Sequence, residues 1–213
     1  FRDGRFYVFD GAHTLLALKK VHGATPFPVD CKVYFGLSYE DEAHLFAVQN
    51  GASKEVAFKA RFKAMMISGS PEAEEFRALT ASAGLSLLNG SGSATQNTIA
   101  ALSKAYRLYK DHGGEEYARI LRLIVDTWRG AAWSLTSYIL GGVGTLFTEY
   151  GDAINRERFV KRLRGASYDD LRDEARRQQR SSSDIAHALA IVKAYNRGGG
   201  RGSLDPRFLT MKD

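Results

Sequence analysis

The sequence predicts an α+β protein: a small α/β module at the front, incomplete on its N-terminal side, followed by a mainly α-helical domain. Three observations carry that expectation. An aromatic and β-branched run, Tyr7-Val8-Phe9, meets Asp10-Gly11 and passes into Leu15, Leu16 and Leu18 at helical spacing. Pro26 and Pro28 introduce a second extended run over 29–35, in which Val29, Cys31 and Val33 alternate with Asp30, Lys32 and Tyr34. The rest reads almost wholly as helices separated by glycine. The divisions that follow are a front module over 1–66, a helical domain over 67–197 and a glycine-rich tail over 198–213.

At 213 residues the chain is long enough to bury a sizeable core, in one large domain or two small ones. No run approaches the roughly 20 apolar residues of a membrane span. The most apolar part, 131–147, is broken by Ser134, Thr136, Ser137, Gly141, Gly142 and Gly144, so no membrane partner is expected. A single cysteine, Cys31, excludes an internal disulfide framework and a Cys-rich zinc site, and fits a reducing, cytoplasmic setting. The opening Phe1-Arg2-Asp3-Gly4 has neither an initiator Met nor a leader pattern and reads as entry partway through a domain. A net charge of +6 is compatible with a nucleic-acid or phosphate-bearing partner, and is equally common in proteins that bind neither.

In chain order, Asp3-Gly4 is a favoured hairpin turn ahead of the strand that ends at Phe9. The helix after Gly11 stops at His22-Gly23. Ser38-Tyr39-Glu40-Asp41 has capping-box spacing and starts a helix to about residue 48, interrupted by Gln49-Asn50-Gly51. Ser53 is placed to cap the next helix, whose Phe58, Phe62 and Met65 form a buried stripe. Ser70-Pro71-Glu72 starts another helix, with Gly84 as its stop. Residues 85–88 suit a short extended piece, and Asn89-Gly90-Ser91-Gly92-Ser93 is a flexible loop and the best internal boundary. Helices are then expected over 96–110, 115–128, 131–140, 145–150, 156–163, 168–178 and 184–195, jointed at Gly113-Gly114, Gly130, Gly141-Gly142, Gly151 and Gly165. From Gly198-Gly199-Gly200 onward the tail is expected to be mobile or to pack late.

The Asp10 to Thr14 corner is the stretch best suited to chemistry. Gly11 lets backbone approach a ligand, and the amides of Ala12, His13 and Thr14 would point out of a helix start, where free donors and partial positive charge favour an anion. Many such corners carry Asp-Gly for turn geometry alone. The order of parts adds weight: strand, Asp10-Gly11-Ala12-His13, helix, Gly23, a Pro-introduced strand, an acid-rich helix start and a helix end with Asn50. Over roughly 7–63 this arrangement resembles the ParB/sulfiredoxin-like superfamily, in particular ParB-like nuclease-domain proteins of phage and mobile elements with an Asp-Gly-x-His-Arg motif.

The resemblance implies that Asp10, Gly11, Ala12, His13 and Thr14 hold nucleotide phosphate, with a nucleoside triphosphate and Mg²⁺ as the implied ligand. Thr14 stands where the family has arginine, so the bidentate charge is missing. Ala12 stands where sulfiredoxins carry their cysteine, which excludes that chemistry. Of the family's second motif, Asn50 matches, and Lys54 offers a substitute charge. Gln49 replaces the acid, which puts hydrolysis in doubt.

Two further sets complete the candidates. Arg158, Lys161 and Arg162 are spaced to share one helix face, and Arg172, Arg176 and Arg180 recur every four residues on another. Such stripes suit a DNA backbone. Interspersed Asp169, Asp170, Asp173 and Glu174 make intrahelical charge pairs at least as good an explanation. The five histidines show no metal-ligand spacing. The leading expectation is a ParB-like nucleotide- or DNA-binding protein. A metal-dependent nuclease or nucleoside triphosphatase with unassigned catalytic residues, and a ligand-free structural protein that forms homo-oligomers, are the alternatives.

Overall fold

The structure, a computed structural model, describes residues 1, 4–51, 58–88, 94–180 and 182–210, with the side chains of 47–51 outside that description. Among the described residues the protein is α+β with a large helical majority, and its one sheet is a two-stranded parallel pairing. The chain divides into two compact units, Phe1–Glu74 and Glu75–Asp213.

In the front unit, α1 (Ala12–His22) starts from Gly11, whose φ of 79° is a left-handed conformation that glycine adopts without strain. It stops at Gly23, whose N–H donates to Lys19 O at 2.9 Å. Before it, Arg5 makes an isolated β-bridge and Phe9 lies in a bend, and residues 29–35 after Pro28 carry no regular structure. Neither run forms the expected strand. Alternation supplies a side-chain pattern but no partner backbone, and Val29, Cys31 and Val33 lie exposed instead of covering a core. The Phe1 ammonium donates to Tyr34 O at 2.7 Å, the Phe1 and Phe35 rings lie 5.8 Å apart, and the Phe9 and Tyr34 rings 5.9 Å apart. The hairpin turn expected at Asp3-Gly4 falls partly outside the described residues.

The expected capping box opens α2 (Tyr39–Gly51): Ser38 N–H donates to Asp41 Oδ2 at 3.0 Å and Asp41 N–H to Ser38 Oγ at 3.1 Å. These bonds to its ionised form hold the Asp41 carboxyl below the usual carboxylate range. The helix runs on through Gln49-Asn50-Gly51 rather than breaking there. The Ser53 cap lies outside the described residues. α3 (Phe58–Ile67) packs on α2 and buries Phe62, while Phe58 and Met65 of the expected stripe are only half-buried. α4 (Pro71–Ser82) begins at the expected proline.

The second unit has the larger core. β1 (Ser86–Leu87) pairs in parallel with β2 (Thr98–Ile99), through Ser86 N–H to Asn97 O at 2.8 Å and Leu88 N–H to Ile99 O at 3.0 Å. Within 96–101, expected as helix, residues 97–99 are drawn into this pairing, so α5 (Leu102–Trp128) starts later. It continues past 110 with a kink where Gly113 leaves helical geometry at φ 77° and ψ 168°. Apolar residues three and four apart, among them Tyr117, Leu121, Ile124 and Trp128, put one face of α5 in the core. Phe76, Tyr106, Tyr109 and Tyr117 pack edge and face at 5.1–5.8 Å, and Tyr117 Oη meets Thr80 Oγ1 at 2.8 Å.

The expected joint at Gly141-Gly142 does not exist. After a 3-10 turn over Ala132–Leu135, α6 (Ser137–Tyr150) runs unbroken through Gly141, Gly142 and Gly144. These glycines are a packing surface. A Cβ on Gly141 would enter the Asp184 carboxylate, and one on Gly142 would sit 2.8 Å from His187 Cβ, so the absence of side chains lets α9 (Ser183–Tyr195) lie close along α6. α7 (Arg156–Leu163) and α8 (Tyr168–Arg177) complete the bundle, capped by Asn155 and Ser167. Trp128 Nε1 donates to Leu163 O at 3.0 Å, tying α5 to the end of α7.

The tail packs, contrary to its glycine content. Leu204 and Leu209 are buried, and α10 (Arg207–Thr210) ends the described chain. The Asn196 amide bonds both Leu204 N–H and Leu204 O, and Tyr150 Oη donates to Asp205 O at 2.6 Å.

Candidate functional site

At the front corner, Asp10 Oδ1 accepts from Gly11 N–H at 2.8 Å, fixing the turn that aims α1. The first intrahelical bond is Leu15 N–H to Gly11 O at 3.0 Å. That leaves the amides of Ala12, His13 and Thr14 without an acceptor among the described residues, and no side chain caps the helix. The side chains of His13 and Thr14 are exposed beside them. No acid occupies the first turn of α1, in contrast to α2, where Glu40, Asp41 and Glu42 do. The nearest carboxylate is that of Asp10, which is engaged with Gly11 N–H ahead of the helix, and Asp30 and Glu42 line the adjoining cavity.

A cavity of about 550 Å³ adjoins this corner. Asp10 and Gly11 form part of its wall, Phe6, Tyr7 and Phe9 another, and Cys31, Lys32 and Tyr34 of the segment after Pro28 a third. Its aromatic lining and its volume fall within the usual range for small-molecule sites. The sequence pattern gave no sign of it, because it comes from two runs that stay apart instead of zipping into a sheet. Cys31 is exposed on its rim.

The second motif contributes no geometry here. Asn50 lies in the last turn of α2 with its side chain outside the described residues, and Lys54 lies outside them altogether. Among the described residues no group of three His, Cys, Asp or Glu side chains converges to hold a metal ion.

The late cations sort into distinct roles. Arg158, one of the expected DNA contacts, turns inward: its guanidinium donates to Arg201 O at 2.8 Å, Gly199 O at 3.0 Å and Ser203 Oγ at 3.1 Å, above the Tyr195 ring. Arg162 is exposed beside Gly198. Lys161 faces an open depression with Asp126, Arg156 and Arg164. The stripe of Arg172, Arg176 and Arg180 does not form. α8 ends at Arg177, and Gln179 turns left-handed at φ 51°, which takes Arg180 off the helix. Within α8, Arg172 pairs with Asp169 at 2.8 Å, Arg176 with Asp173 at 3.8 Å and Arg177 with Glu174 at 3.3 Å. Lys193 also reaches Glu174, at 2.8 Å, and is the main cause holding that carboxyl below its ordinary range. The charge-pair reading is the one α8 takes.

No described helix is long and apolar enough to cross a membrane. A family model described as Family of unknown function (DUF6551) matches residues 1–208. No curated protein and no solved structure matches the chain.

Proposed function

We propose that this chain, which belongs to that family, carries in its front unit a ParB/sulfiredoxin-like module that binds a nucleotide, with phosphate at the start of α1. The observation that carries this reading is the uncapped start of α1 beside an aromatic cavity. Free amides at 12–14 are unpaired donors for phosphate oxygens, and the cavity wall of Phe6, Tyr7 and Phe9 is suited to stacking a base. Gly11 lies at the cavity edge, where its φ of 79° strains any other residue although a Cβ would meet nothing within 4 Å. With Asp10 tied to the turn and Thr14 in place of a charged residue, the site has donors and no assigned base, so the reading is one of binding.

Ala12→Glu is the discriminating variant. An acid in the first turn favours the helix by about 0.3–1 kcal/mol and repels phosphate from the same point. Thermal unfolding and titration calorimetry with a panel of nucleoside triphosphates, with and without Mg²⁺, should show the variant at least as stable as the parent and at least tenfold weaker in binding. Parent protein that binds none of the panel, or a variant that binds equally well, contradicts the reading.

A further inference from the structure

We infer that the arginine–glycine turn at 197–202, together with the exposed side of α7, is a contact surface for the phosphodiester backbone of a nucleic acid. It lies in the second unit and does not rest on the nucleotide reading. Its sequence is Arg197-Gly198-Gly199-Gly200-Arg201-Gly202, a composition shared by segments that track single-stranded nucleic acid. Here the segment is folded. Gly198, Gly199, Gly200 and Gly202 all have positive φ, and the turn wraps the Arg158 guanidinium with its own carbonyl groups.

Charge accounting bears on this place. Many cations of the unit are neutralised at short range: Lys104 by Asp184, Arg156 by Asp126, Arg172 by Asp169, Lys193 by Glu174 and Arg207 by Asp205. At the turn Arg197 faces Asp170, whereas Arg158, Arg162 and Arg201 lie apart from the described acids. Every hydrogen-bond acceptor of Arg158 is neutral, namely three carbonyls and a hydroxyl, so its full charge persists. Arg162 and Arg201 are exposed and have no acid partner among the described residues. Glycine keeps these charges close: a Cβ on Gly198 would come within 3.3 Å of both terminal nitrogens of Arg162.

The partner class follows from this layout. Exposed arginines on an open surface suit a polymer of regularly spaced phosphates better than one small anion. Each guanidinium can grip a phosphate through two N–H groups. Arg158 orders the turn from beneath, and Arg162 and Arg201 supply the outward contacts.

The test uses the whole chain, fluorescence anisotropy and two labelled probes, a single-stranded oligothymidylate and a duplex of the same length, across a salt series. Salt-sensitive binding is expected, and the tighter of the two probes shows which form presents the fitting backbone. Arg162→Gln with Arg201→Gln should weaken binding about tenfold or more and lower the salt slope by about one to two. The matching double lysine variant should retain most of the affinity. Arg176→Gln, whose parent side chain is already paired with Asp173, should bind like the parent. Absence of salt-sensitive binding to both probes, a double glutamine variant that binds normally, or equal displacement by polyglutamate overturns the inference.

Discussion

A methyl group added at Gly142 would meet His187 Cβ at 2.8 Å and the α9 backbone at 3.1–3.2 Å. Replacing a helical glycine with alanine gains about 1 kcal/mol of helix propensity, and overpacking costs about 1–3 kcal/mol. Backbone atoms cannot swing aside, so packing wins, and Gly142→Ala should lower the urea midpoint. Gly144→Ala should lower it less, because the neighbour it meets is the end of the Leu108 side chain. His112 sets a pH dependence. Burial holds its imidazole below the ordinary range, against the opposing pull of Asp111 and Glu116. The unfolded chain therefore takes up this proton first as pH falls. The contribution is fully favourable above about pH 6.5 and is lost progressively below it. Urea midpoints measured from about pH 7.5 down to 5.5 should fall, and His112→Gln should flatten the slope.

Helix starts were the most legible elements. Ser38, Ser70 and the spacing of α7 to α9 placed their beginnings, because a cap is a local device that needs no distant partner. Ser167 bonds the Asp170 N–H and receives that residue's carboxylate in return. Ser167→Ala should cost about 1 kcal/mol in chemical unfolding. Elements that depend on partners were misread. The runs at 5–9 and 29–35 have the composition of strands and lack a ladder. Gly141-Gly142 reads as a joint because the same residue marks a turn and a close helix approach, and only the position of α9 decides between them. The α1 corner was legible as a short-range pattern, whereas its cavity and the inward turn of Arg158 depend on contacts remote in sequence. Arg158→Lys keeps the charge and loses the fork, so amide exchange over 198–205 should rise while the core of α5 stays protected.

At the scale of the whole molecule, burial is uneven. No described residue before Glu42 is buried, whereas α5, α6 and α9 fill a continuous core with Tyr117, Ile139, Leu140 and Ile191. Large apolar side chains left exposed are concentrated in the front unit, including Phe6, Val21 and Phe35. Local stability follows buried contact, so the front unit should exchange its amides orders of magnitude faster than the second. A ligand at the α1 corner would then protect the front unit selectively, by mass action on its folded form. The most direct measurement is a ¹⁵N-resolved titration of the parent chain with nucleoside triphosphates and Mg²⁺. The account expects saturable shifts that begin at the amides of residues 11–14, spread to the cavity wall at 6–9 and 31–34, and vanish in Ala12→Glu. Shifts confined to other residues, or none at saturating nucleotide, would contradict it.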